Sequence, residues 1–103
     1  MVEKLTVRMH GTPAGILEKE ESRYSFVYFP NYQGPPISLR LPVETRTFQF
    51  DSFPSFFDGL LPEGPQLEGL LKSQKIDRND FMTQLLTVGA DLVGAVTVEA
   101  YSD

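Results

Sequence analysis

The spacing of apolar residues changes period near residue 54, and that change sets what the chain can fold into. Before it, the pattern repeats every two residues. Over residues 4–10, Leu5, Val7 and Met9 alternate with Lys4, Thr6, Arg8 and His10, which predicts a strand with one wet face. Over residues 23–29, Tyr24, Phe26 and Tyr28 fall on one face and Ser25, Val27 and Phe29 on the other. Aromatic and β-branched residues suit a pleated surface, so this is a second strong strand, with both faces expected to be partly covered. Between them, Gly11-Thr12-Pro13-Ala14-Gly15 reads as a turn, Ile16 and Leu17 begin a short strand, and residues 18–21 form a polar turn. Residues 30–36 read as a loop, 38–41 as a brief extended piece stopped by Pro42, and 46–50 as another strand.

From Pro54 the apolar residues move to helical spacing, first as Phe56, Phe57, Leu60 and Leu61. Pro65 suits the first turn of a helix, where its missing N–H removes no bond. Leu67, Leu70 and Leu71 then make one stripe, and Gly69 weakens that helix by about 1 kcal/mol relative to alanine. Asn79 or Asp80 caps a further helix carrying Phe81, Met82, Leu85, Leu86 and Val88, with Gly89 as its stop. Residues 95–101 close the chain as a strand with Val96 and Val98 facing the core. The expected fold is α+β: a small, mostly antiparallel sheet with two or three helices packed on it, in one domain over residues 1–103.

Composition narrows the chemistry. The chain has no cysteine, which removes disulfides, thiolate metal sites and cysteine nucleophiles. Its net charge of −5 is unfavourable for phosphate-backbone contacts, so no direct nucleic-acid partner is expected. No apolar run reaches the length of a membrane span, and residues 1–4 do not begin a signal peptide, so the expected place is the cytoplasm, with no membrane partner. His10 is the one histidine and lies on the polar face of a strand, a poor place for a catalytic base. Gly59, Gly64 and Gly69 recur every five residues, but no Gly-Lys-Ser/Thr follows to make a phosphate loop. Asp58 and Glu63 read as solvated charges or helix-end caps rather than an acid–base pair. No catalytic residue, metal or cofactor is expected.

Residues 47–71 concentrate what remains. Five of the eight phenylalanines (48, 50, 53, 56 and 57) lie there, with Asp51, Asp58, Glu63 and Glu68 and no lysine or arginine, a local charge of −4. Large apolar groups in this number serve either as the core that docks helices on the sheet or as a partly exposed, acid-rimmed patch for a basic partner. Inward residues suit the first role and loop residues the second.

Three stretches carry a family resemblance. Phe56-Phe57-Asp58-Gly59-Leu60-Leu61-Pro62-Glu63-Gly64 resembles the FF-x-x-LLP-[ED] signature of HipA N-terminal domains. Pro36-Ile37-Ser38-Leu39-Arg40-Leu41-Pro42 resembles the PLSLSLP segment that precedes it, and Val88-Gly89-Ala90-Asp91-Leu92-Val93-Gly94-Ala95-Val96 resembles the G-x-D-x-x-GA segment that ends the domain. The order and spacing match over nearly the whole chain.

HipA-type kinases continue into a kinase core, whereas this sequence stops at Asp103. The resemblance therefore implies a split toxin–antitoxin system of the HipBST type. The small protein, HipS, would neutralise the HipT serine/threonine kinase, and a DNA-binding HipB would join them in a ternary complex. On this reading the chain docks on the kinase and occludes its active-site region. The implied contacts are Phe53, Phe57, Asp58, Leu61, Pro62, Glu63, Gly64, Pro65 and Gln66. A module that activates or stabilises the kinase, or one that tunes HipB-dependent repression, fits the same residues, and a small enzyme is the remaining alternative.

Overall fold

The computed structural model describes residues 3–92 and 94–102. Five strands, β1 (Lys4–Met9), β2 (Thr12–Glu20), β3 (Arg23–Tyr28), β4 (Thr47–Phe50) and β5 (Val96–Ala100), form one antiparallel sheet in the order β4-β3-β2-β1-β5. Three helices, α1 (Ser55–Asp58), α2 (Gly64–Gln74) and α3 (Phe81–Val88), lie between β4 and β5 in sequence. The α+β class, the helix count and the closing strand are as the periodicity predicts.

The core lies on one face of the sheet. Leu5, Val7, Leu17, Phe26, Tyr28, Val96 and Val98 are all buried there, with Phe57, Met82 and Leu85 from the helices packed among them. The other face is partly covered, as the pattern of residues 23–29 suggests: Ser25 and Phe29 are half-buried and Val27 is 38% exposed. An antiparallel sheet can leave one face to water, since its alternating side chains need only one apolar side.

Two local expectations change. The first turn is not residues 11–15 but the tight pair His10 and Gly11, both at positive φ (51° and 80°). Thr12 already pairs with Met9, so β2 begins there and runs nine residues. Residues 38–41 are not extended. Leu41 N–H returns to the Ser38 carbonyl (3.0 Å), a turn that lets Ile37 and Leu41 both enter the core.

Tyr28 is what fixes that turn. Its hydroxyl donates to the Leu41 carbonyl (2.6 Å) and accepts from Ile37 N–H (3.0 Å), clamping both ends of the loop from beneath the sheet. Burial pushes the phenol above its ordinary pKa, so it stays a donor. Tyr28→Phe keeps the ring but leaves a buried N–H and a buried carbonyl without this partner. Each loss costs about 1–3 kcal/mol at most, and partial rehydration lowers the sum to about 2 kcal/mol. Urea denaturation should show that loss, together with faster hydrogen exchange at Ile37.

The helices are held by distinct means. Asp80 caps α3, accepting from Thr83 N–H (3.2 Å) and the Thr83 hydroxyl (2.7 Å). Gln84 is 1% exposed, and its amide donates to the carbonyls of Asp77 (3.1 Å) and Arg78 (2.9 Å), which locks the α2–α3 connection onto α3. Gly89 does not end α3 in a left-handed cap. Its φ is −56°, and it enters a 3-10 turn at Gly89–Asp91. Glycine is needed there for contact, because a Cβ would stand 2.1 Å from the Val98 carbonyl oxygen of β5.

Candidate partner-docking site

Residues 53–66 pass from the core to the surface within fourteen positions, and the chain sorts them by helical phase. Phe53 is half-buried, stacked on Phe81 (5.0 Å between ring centroids, 20°) and edge-on to Tyr24 (5.4 Å, 75°). Phe57 is fully buried, tilted against Phe26 of β3 (5.9 Å) and edge-on to Phe56 (5.2 Å). α1 is a single turn, continued by Leu60 N–H to the Phe57 carbonyl (3.0 Å) and Leu61 N–H to the Asp58 carbonyl (3.1 Å). That winding carries Leu61 back into the core, where it is 9% exposed.

Two of the residues expected to touch a partner are therefore corrected. The Phe57 side chain is core, consumed in docking α1 against β3, and is not available at the surface; Leu61 is mostly core and reaches the surface only as part of the cleft walls. Phe53 stays partly exposed. Asp58, Glu63, Gly64, Pro65 and Gln66 are exposed, and Pro62 is half-buried between them.

The exposed residues form a stiff turn. Pro62 and Pro65 fix their own φ, and Gly64 takes φ +58°, a left-handed conformation that a side chain would strain. Glu63 occupies the N-cap position of α2 but makes no side-chain cap bond, so its carboxylate points to solvent rather than closing the helix. Two shallow clefts flank the turn. One, of about 190 Å³, runs between Asp58, Pro62, Glu63, Leu67 and Phe81. The other, of about 380 Å³, runs between Leu60, Pro62, Gln66, Asp91 and Leu92. Leu61 forms part of the wall of both.

The charge around the turn is one-sided. Asp58, Glu63 and Asp91 are exposed and make no ion pair among the described residues. Arg78 lines the smaller cleft, but its guanidinium is held by Glu68 of α2 (2.6 Å). The surface thus offers free carboxylates around half-buried proline and leucine groups. Sequence alone singled out the turn but not Leu67, Phe81, Asp91 and Leu92, which reach the clefts through the helix packing. Nothing in their local spacing signals it.

No group of three His, Cys, Asp or Glu among the described residues is placed to hold a metal ion. His10 sits exposed in the β1–β2 turn, outside both clefts. Among the described residues no helix is long and apolar enough to cross a membrane.

Comparison with known proteins places this geometry. The family model of the HipA N-terminal domain matches residues 5–99. A solved structure of the N-terminal domain of HipA toxin superposes with a TM-score of 0.78 at 29% identity, covering 100% of this chain and 96% of that one. An uncharacterised protein of Haemophilus influenzae is 33% identical over 99 residues, which are 96% of this chain and 93% of that protein. A protein of Sinorhizobium fredii named as a kinase, Y4dM, is 32% identical over 94% of this chain, and the match spans 26% of that protein's length.

Proposed function

The chain belongs to the HipA N-terminal domain family, and on that premise we propose that it is a non-catalytic antitoxin of the HipS kind, which docks on a HipA-like (HipT) kinase. The 58–66 turn faces the active-site region of the kinase and occludes it. A HipB-like DNA-binding protein joins the two in a ternary complex.

One observation carries this reading. Among the described residues, Asp58, Glu63 and Asp91 stand unpaired around a proline-stiffened turn whose apolar walls are already formed. Preformed turns lose little entropy on binding, and free carboxylates steer a basic partner surface into register. A kinase that handles phosphate groups offers such a surface. The relatives fit both arrangements: nearly the whole of the Haemophilus influenzae protein is matched by this chain, while the kinase-named protein contains a matching stretch within a longer chain.

The test is a phosphorylation assay with a HipA-type kinase that lacks this domain. Adding the chain at micromolar concentration should suppress autophosphorylation, saturating at one chain per kinase. Unchanged phosphorylation would remove the antitoxin reading, and enhanced phosphorylation would make the chain an activator.

A further inference from the structure

The sheet has two edges, β4 and β5, and they differ. The outer side of β5 is covered: the Gly89–Asp91 turn approaches so closely that an added Cβ on Gly89 would touch the Val98 carbonyl. Among the described residues β4 has no such cover. Tyr28 N–H donates to the Arg46 carbonyl (2.9 Å), and this bond sets the phase of the β3–β4 ladder. The bonded partners are then Phe26 with Phe48 and Tyr24 with Phe50, which turns the N–H and carbonyl of Thr47 and Gln49 outward. Both residues are exposed, and beyond the β3 ladder no backbone bond reaches residues 47–50 among the described residues. The strand Thr47-Phe48-Gln49-Phe50 has neither the proline nor the charge with which exposed edges are usually protected.

Beneath that edge, on the core side, lies a cleft of about 370 Å³ lined by Arg40, Leu41, Phe50, Pro54 and Phe56. One wall is the 37–41 loop clamped by Tyr28. The loop projects Leu39, 94% exposed, beside Arg40, whose guanidinium makes no ion pair among the described residues. A rigid loop that displays a leucine and a free guanidinium next to an unprotected strand is built for contact.

We propose that the free edge of β4 receives an extended segment of a partner protein as a sixth strand, with an apolar side chain seated against Phe50 and Phe56 and a carboxylate on Arg40. Alternation in an added strand sends every second side chain to the core side, where the cleft lies. Backbone bonds to Thr47 and Gln49 supply affinity, and the guanidinium fork selects the acid. A second copy fits less well: its own β4 carries no carboxylate, and two chains of net charge −5 repel. This surface is separate from the 58–66 turn and does not depend on the kinase reading.

The test uses a capped peptide of alternating valine and threonine with one central glutamate, titrated into the ¹⁵N-labelled chain. The amide signals of Thr47 and Gln49 should move and saturate. A peptide with lysine in place of glutamate should bind about fivefold more weakly, and Arg40→Glu should reverse that preference. Gln49→Pro removes only an outward N–H and should abolish binding without changing the rest of the spectrum. If that variant unfolds, a peptide N-methylated on its strand-facing amides replaces it, and it should not bind. Glu63→Lys should leave peptide binding intact. Absence of saturable shifts at Thr47 and Gln49, or shifts centred on β5, overturns the proposal. So does dimerisation through these amides without peptide, which would make a second copy the occupant.

Discussion

Phe57→Ala is expected to lower the unfolding free energy by about 3–5 kcal/mol. The ring is fully buried and joins α1 to β3 through Phe26, so truncation opens a cavity that neither element can close alone. A domain of this size has roughly 5–15 kcal/mol in total, so the variant would be left near the margin of folding. Phe53→Ala should cost less, because Phe53 is half-buried and loses mainly its stack on Phe81. Urea denaturation followed by far-ultraviolet circular dichroism measures both. A loss under about 1 kcal/mol at Phe57 would mean that the ring is not core, and would return it to the set of partner contacts.

The double variant Asp58→Lys/Glu63→Lys should behave in the opposite way. Both side chains are exposed and make no ion pair among the described residues, so stability should stay within about 0.5 kcal/mol of the parent. Kinase binding should weaken about 100-fold. Each reversal replaces an attraction with a repulsion at a basic surface, and roughly 1.4 kcal/mol per site already gives tenfold. Most of the change should fall in the association rate and shrink at high salt, since screening acts on exposed charges. Equal affinity for parent and variant, with both folded, would separate the acidic turn from docking.

The contrast between these variants shows where the sequence was legible. The period-two runs around Val7 and Phe26 and the stripe of Met82 and Leu85 each spanned enough residues to fix a face, and the core lies where they point. α1 did not. It has four residues, one turn, and a single turn cannot tell Phe56 from Phe57 as the inward position until β3 packs against it. Residues 38–41 misled for another reason. Their extended appearance yields to two hydrogen bonds at the Tyr28 hydroxyl, one accepted from Ile37 N–H and one donated to the Leu41 carbonyl, nine and thirteen positions later in sequence. The bare edge of β4 could not be read at all, because strand order is a property of the whole sheet and local spacing carries no record of it.

Amide hydrogen exchange of the chain, alone and mixed with a HipA-type kinase lacking this domain, tests the docking claim most directly. Protection should gather on residues 58–66 and on the residues around Asp91, with the β2–β3 hairpin unchanged. Kinase binding that left the 58–66 amides exchanging as freely as in the isolated chain would contradict it.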